Sequence, residues 1–148
     1  MNIARWLLIA LVPSALLAQG GEDAQLNSKA EALPPQIETV ASGGYWSRDG
    51  RDGSFRLIIE VLGWDDLYNR AFLQWIRLDP DKQEQVVERT VPIKEIAGRW
   101  RVVSQKFVLR GKHWNIIVSA ERRVPEAKAT FTITPTADFS YTLATSEK

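Results

Sequence analysis

The stretch "SRDGRDGS" at 47–54 places two Asp-Gly pairs close together, a composition that occurs in calcium loops. An EF-hand loop needs oxygen ligands at positions 1, 3 and 5, glycine at 6 and glutamate at 12. With Gly53 at position 6, Arg48 occupies position 1 and Ile59 position 12, and the register set on Gly50 fails in the same way. No metal site is predicted. Because Asp and Gly both tolerate positive φ, the stretch is predicted to be a long, mobile, exposed loop between two strands.

Catalytic constellations are not indicated elsewhere. The single histidine, His113, lies beside a predicted turn with Arg110 and Lys112 as its neighbours and no nucleophile indicated nearby, which predicts a solvated turn residue rather than a general base. Asp65 and Asp66 are adjacent in a predicted loop, where capping the next turn is a simpler role than serving as the acid pair of a glycosidase. Nucleophile-elbow, phosphate-loop and dinucleotide motifs are missing from the sequence. We therefore expect a non-enzymatic protein without a cofactor.

Arginines and tryptophans are the remaining candidates for contact with a ligand. Four arginines should gather at one end of a predicted hairpin spanning 99–124, either as a docking patch for an acidic partner or as a solvated sheet end. Three tryptophans have positions or strand phases that predict exposure of one or two of them, the alternative being that all fill a large core. The candidate binding surface comprises Trp64, Trp75, Trp100, Arg99, Arg101, Arg122 and Arg123.

The first eighteen residues have the pattern of a secretory signal peptide. Arg5 precedes an apolar run from Trp6 to Leu17, and small residues lead up to a predicted cleavage after Ala18. The run is shorter than the roughly 20 residues that span a bilayer, so stable membrane insertion after cleavage is not expected. Residues 19–35 are polar and aperiodic, which predicts a flexible N-terminal tail.

Composition narrows the setting and the partners. The chain has no cysteine, and an exported domain without disulfides suits a bacterial periplasm better than a eukaryotic extracellular space, so a periplasmic or secreted location is predicted. Of 19 basic and 18 acidic residues, the predicted signal peptide removes one base, Arg5, which leaves 18 of each sign. A neutral domain lacks the electrostatic footprint of a nucleic-acid binder.

Residues 36–148 have the texture of a single all-β domain. Short runs rich in Val, Ile, Phe, Thr and Trp alternate with Gly, Pro and Asp turns, which predicts an antiparallel β-sandwich, with an immunoglobulin-like topology favoured and a small up-and-down barrel as the alternative. The strand at 128–135 has one polar face and is predicted to be an edge or surface strand. Eight strands are expected near 37–46, 54–62, 71–79, 84–93, 99–110, 113–124, 128–135 and 139–145.

Two hairpins have predictable registers. Around Gly111-Lys112, pairing Arg110 with His113 places the apolar residues of both strands on one face and predicts Val103 opposite Ala120. Around "DPDK" at 79–82, a four-residue loop predicts Ile76 opposite Val87 and Phe72 opposite Val91. The segment 92–98 is expected to make one helical turn that crosses from one sheet to the other.

These features predict an exported binding or accessory module that contacts a protein partner in the bacterial envelope. A sheet edge that can pair with another chain supports this expectation. The alternative is a small-ligand domain that binds a glycan or lipid through exposed tryptophans. The sequence does not predict an oligomeric state.

Overall fold

The computed structural model describes residues 31–148, of which Pro35–Lys148 form one compact unit. The predicted signal peptide and most of the predicted tail, residues 19–30, lie outside the described residues. Eight strands form, close to the predicted positions. They are β1 Ile37–Arg48, β2 Arg51–Leu62, β3 Tyr68–Asp79, β4 Glu84–Ile93, β5 Arg101–Arg110, β6 His113–Arg123, β7 Glu126–Pro135 and β8 Tyr141–Glu147.

The strands make two antiparallel four-stranded sheets, consistent with the predicted β-sandwich. The first sheet has the order β1-β2-β3-β4 and the second β5-β6-β7-β8. Immunoglobulin sandwiches exchange strands between sheets through Greek-key connections, whereas here each sheet is a run of consecutive strands. The immunoglobulin-like topology is therefore not confirmed. Within residues 31–148 the two sheets also remain separate, so they do not pair into the alternative barrel. No helix in this part of the chain is long and apolar enough to cross a membrane.

The core lies between the two sheets and is unusually aromatic. Trp75 on β3 is enclosed, with the rings of Phe55 and Phe139 meeting it edge-on at 6.0 and 5.9 Å. Its indole Nε1 donates to the backbone oxygen of Thr136 at 2.9 Å, so the one polar atom of the buried side chain has a hydrogen-bond partner. Phe107 lies so close to Gly43 that a Cβ there would be 2.6 Å from the ring. These contacts lock one sheet against the other.

The segment "SRDGRDGS" is a tight hairpin, and the predicted long loop is wrong. Only Asp49 and Gly50 form the turn, with φ of 52° and 72°. Positive φ at both central residues is the type I′ geometry, which matches the twist of paired strands and suits Asp-Gly. The second glycine, Gly53, lies inside β2 rather than in the turn. Glycine is required there because a Cβ would come within 1.9 Å of the backbone oxygen of Ile76.

Two β-bulges alter the predicted registers. The pairs Arg110–His113 and Ile76–Val87 are confirmed. A register shift between Val102 and Ser104 places Val102, not Val103, opposite Ala120. A second shift, next to Trp75, puts Leu73 rather than Phe72 opposite Val91. Each bulge inserts one unpaired residue and so exchanges the inward and outward faces beyond it.

The strand predicted as an edge is internal. β7 lies between β6 and β8, so the edges of the second sheet are β5 and β8. The polar face of β7 was interpreted correctly, since Thr130 is exposed while Phe131 and Ile133 are buried. Polar alternation identifies a face that meets water, but it does not say whether a strand has one neighbour or two.

Candidate binding cleft

A cleft of about 860 Å³ opens where three connections converge at one end of the sandwich. These are the β2–β3 loop, the β4–β5 connection and the β6–β7 turn, so both sheets contribute walls. The volume falls within the range of ordinary small-ligand or peptide sites. The lining residues are Asp65, Asp66, Leu67, Tyr68, Gly98, Arg99, Arg101 and the continuous segment from Glu121 to Lys128.

The β2–β3 loop, residues 63–67, is folded tightly by a required glycine. Gly63 has φ of 94°, and a Cβ there would lie 2.1 Å from the backbone oxygen of Asp66. The turn projects Trp64 outward, so that 94% of the residue is exposed. Leu67 follows in the loop and is also exposed. A large aromatic side chain is thus held next to the cleft, and no ring or cation among residues 31–148 stacks on its faces.

Asn69 fastens the base of this loop to the β4–β5 connection. It is fully buried, and its main chain exchanges bonds with that connection: its N–H donates to the Trp100 oxygen at 2.9 Å and its oxygen accepts from Gly98 at 3.3 Å. Its side-chain oxygen accepts from the Val102 N–H at 2.6 Å. Its amide nitrogen donates to the Glu60 oxygen at 3.0 Å. One side chain therefore joins β2, β3 and β5 behind the cleft.

Trp100 and Arg122 are stacked together at the cleft wall. Trp100 is buried against Phe131, with ring centroids 5.5 Å apart. The Arg122 guanidinium lies over the Trp100 ring, 4.8 Å from the ring centroid, and its Nε donates to the Pro125 oxygen at 3.2 Å. Arg122 also approaches Glu147 at 3.7 Å. Because its guanidinium makes these intramolecular contacts, Arg122 stabilises the wall of the cleft.

The β6–β7 turn supplies the opposite rim. It consists of Val124 and Pro125, joined by a cis peptide bond, and Val124 is 90% exposed. Single exposed apolar residues are ordinary on protein surfaces. Val124 and Trp64, however, belong to two connections that border the same cleft, and each is almost entirely in solvent.

The charges of the cleft are mixed. Among its lining residues are five cations and four acids, and Arg101, Glu121 and Lys128 stand side by side across β5, β6 and β7. Within residues 31–148, Arg99, Arg101 and Arg123 make no ion pair, and neither do Asp65 and Asp66. The cleft therefore offers free charges of both signs to a ligand.

The structure brings together all four arginines of the candidate surface. Arg99, Arg101, Arg122 and Arg123 all line the cleft, as expected from the closed hairpin, and Trp64 directly precedes the lining residue Asp65. Trp75 and Trp100 are buried and present no binding surface, which corrects their place among the candidates. The side-chain alternation read back from Phe107 predicts that Trp100 points outward. The bulge at Val103 lies between them and reverses the alternation, so Trp100 points inward.

Several lining residues were not candidates from the sequence. Asp65 and Asp66 were interpreted as turn caps in preference to a catalytic pair, not as binding residues, and Val124 and Lys128 were not singled out. The predicted hairpin did place the 121–123 end beside Arg99 and Arg101. The sequence analysis did not predict that β2 pairs with β3 in the other sheet. This pairing places the 63–67 loop at the same end of the sandwich as the arginines.

Other polar groups lie away from the cleft. His113 is exposed at the β5–β6 turn. Near the β1–β2 hairpin, hydrogen bonding to Ser47 and then to Tyr45 lowers the pKa of the Asp52 carboxyl, beside a shallow depression of about 300 Å³. In the described part of the chain, no three His, Asp or Glu side chains are grouped closely enough to hold a metal ion.

Comparison with protein-family models, curated proteins and solved structures found no significant match to this chain. Function is therefore inferred from the geometry of its own residues.

Proposed function

We propose that this chain is an exported, non-enzymatic β-sandwich module that binds a polypeptide partner in the bacterial envelope through the cleft. The observation that carries the proposal is the combination of unpaired charges of both signs with a fully exposed tryptophan at one rim. A polypeptide segment presents carboxylates, cations and apolar side chains within a short distance. It can therefore complement such a cleft better than a ligand of one charge sign.

Trp64 and the unpaired arginines are the proposed energetic centre. Tryptophan and arginine are enriched among interface residues whose truncation costs most, because each combines a large apolar area with a polar group. Arg122 is not proposed as a contact, since its guanidinium already bonds within the wall. Arg101 and Arg123 remain available from β5 and β6.

The test is a quantitative pull-down from envelope extracts with matched variants. Trp64→Ala and Arg101→Glu should each lower recovery of the partner at least about tenfold, because both remove proposed central contacts. Leu78→Ala and Arg110→Glu are the controls, since these exposed residues lie at the opposite ends of β3 and β5 from the cleft. Both controls should bind as the unmodified chain does.

Two results contradict the proposal. One is the failure to recover any protein reproducibly with the unmodified chain. The other is recovery that is equal for cleft variants and controls, which would place the contact elsewhere. Unfolding curves of all four variants exclude loss of the fold as the cause of lost binding.

The exported location has its own test. Its support is the apolar N-terminal segment with small residues at 14, 15 and 18, together with the absence of cysteine. Protein recovered from a periplasmic fraction should begin at Gln19 by intact mass. A chain that retains residues 1–18 in the membrane fraction contradicts this part of the proposal.

A second candidate is binding of a glycan or lipid, favoured by the free ring faces of Trp64. Among residues 31–148, Trp46, Trp75 and Trp100 are buried and Trp114 packs half-buried against the core, so Trp64 is the one tryptophan almost entirely in solvent, and a ligand that stacks on it should produce a blue shift. A glycan and lipid panel should therefore shift the fluorescence of the unmodified chain but not that of Trp64→Ala. No shift with any member of the panel rejects this candidate and leaves the polypeptide proposal unaffected.

A further inference from the structure

Among residues 31–148, three of the four sheet edges are interrupted. β1 has register shifts near its start and at Gly43–Trp46, β4 has a bulge and contains Pro92, and β5 has the bulge at Val103. Bulges and prolines are the devices by which native proteins prevent edge strands from pairing with other chains. β8, Tyr141–Glu147, has none of them: it pairs with β7 in one continuous register, contains no proline and has no acidic or basic residue before Glu147.

The hydrogen-bond alternation identifies which backbone groups of β8 face outward. Just beyond the strand, Lys128 and Lys148 exchange both backbone bonds, at 2.9 and 3.3 Å, and Thr136 bonds Ser140 at the other end. In an antiparallel ladder, bonded and non-bonded pairs alternate. The even-numbered residues of β8 therefore bond to β7, and the odd-numbered ones direct N–H and C=O toward the open edge. These outward residues are Tyr141, Leu143, Thr145 and Glu147.

The open edge of β8 is accessible in the described part of the chain. Within residues 31–148, the backbone groups of the four outward residues have no hydrogen-bond partner, and β8 pairs with β7 alone. Residues 144–147 are all exposed. A regular edge with alternating free donors and acceptors is a template for another strand.

The outward pattern of β8 is complementary to itself. When two copies run antiparallel about a two-fold axis at Ala144, Tyr141 lies opposite Glu147 and Leu143 opposite Thr145. Every outward residue then meets an outward residue, so eight backbone hydrogen bonds can form between the strands. No like charges face each other in this register, because Glu147 is the only charged residue of the strand.

We propose that two copies of this chain associate through β8, joining their second sheets into one continuous eight-stranded antiparallel sheet. A two-fold axis at Ala144 creates an isologous interface, the commonest kind in soluble oligomers. The self-complementary register, in which no like charges face each other, favours a second copy over an extended segment of another protein. The cleft is not required for this association.

Ala144 provides the decisive test, because its side chain would lie directly opposite its own copy. It is exposed on the outer side of the second sheet, and the Ala144–Ala144 pair would be of the non-hydrogen-bonded type, in which side chains are closest. Ala144→Lys and Ala144→Glu should each weaken self-association about tenfold or more, as like charges then face each other. An equimolar mixture of the two variants should restore the dimer as a heterodimer.

The measurement is sedimentation velocity over a concentration series, with thermal unfolding as a control for folding. Thr145→Pro should also give a monomer, since it removes an outward N–H while leaving the ladder to β7 complete; Thr145→Val, which keeps that N–H, should dimerise. A monomeric unmodified chain at all concentrations overturns the proposal. So do variants that dimerise like the unmodified chain, or charge variants that do not recover on mixing.

Discussion

Replacing Asn69 with alanine should destabilise the domain and open the base of the cleft. The residue is fully buried on an internal strand, and its side-chain oxygen accepts the Val102 N–H at 2.6 Å. Its amide nitrogen donates to the Glu60 oxygen at 3.0 Å and to the Glu38 carboxylate at 2.9 Å. Alanine keeps the main-chain bonds and removes all three side-chain bonds at once.

The magnitude follows from the partners that are left without a bond. Glu38 is exposed, so water can replace its lost bond at little cost. The Val102 N–H on β5, behind the cleft, is left without a partner, which costs about 1–3 kcal/mol, whereas the Glu60 oxygen keeps its place opposite Arg70 in the β2–β3 ladder and loses only a second bond, worth about 0.5–1.5 kcal/mol. We therefore expect a loss of about 3 kcal/mol, which corresponds to a melting temperature lower by about 10–20 °C for a domain of this size.

The assay is urea unfolding followed by tryptophan fluorescence, since Trp100 lies beside this network. Asn115→Ala is the matched control. Asn115 is also a buried asparagine on an internal strand, but within residues 31–148 its side chain bonds only to His113 and Thr134, both in the second sheet. Its loss should cost less and should leave binding at the cleft unchanged.

A loss below about 1 kcal/mol for Asn69→Ala would refute the reasoning, because it would mean that water replaces the bond lost by the Val102 N–H. The same conclusion would follow if Asn69→Ala and Asn115→Ala had equal effects. A large loss of stability in Asn69→Ala with an unchanged cleft would show that the residue stabilises the fold without positioning the site.

Two further predictions concern turns and pH. Gly53→Ala should lower the free energy of unfolding by at least about 3 kcal/mol, because the new Cβ would lie 1.9 Å from the Ile76 oxygen. Gly50→Ala should lower it by about 1 kcal/mol, because only its φ of 72° is unfavourable for alanine. Equal losses in urea unfolding would contradict this. Burial and the hydrogen bond to Glu95 raise the pKa of Tyr141 from 10.0 to about 12. The protonated hydroxyl therefore contributes its full stabilisation of the fold below pH 10, and this contribution is lost as the pH rises toward 12. Tyr141→Phe should lose about 0.5 kcal/mol at neutral pH and show a flatter alkaline decline in melting temperature; an unchanged decline would refute the assignment.

Local patterns predicted the strand positions and the two hairpins β3–β4 and β5–β6. The Gly111-Lys112 pair fixed one register because a slip of one residue would have put Phe107 and Ile116 on opposite faces. The β3–β4 register was equally right up to the bulge next to Trp75. The all-β class and the strand positions follow from turn residues and side-chain alternation, both of which act over a few residues.

The failures also have a physical cause. The bulge at Val103 inverts the alternation within β5, so Trp100 points inward when the phase of Phe107 places it outward. A bulge depends on how two strands twist around each other, and the sequence of one strand does not contain that information. Only part of the cleft was predicted. Its arginines lie on or beside one hairpin, whose local pattern the sequence shows, but the 63–67 loop belongs to the other sheet, and its position depends on how the two sheets pack.

The proposed dimer has a consequence for the proposed cleft. In the second sheet, the cleft residues 121–128 lie at the end where β8 finishes, at Glu147. Antiparallel pairing about Ala144 places Glu147 of one copy beside Tyr141 of the other, so the two clefts would open at opposite ends of the joined sheet. Such a dimer would engage two partner segments pointing in opposite directions and could bridge them. If so, the Ala144 charge variants should retain one-to-one binding of a partner segment but lose the gain in avidity that a bivalent partner provides.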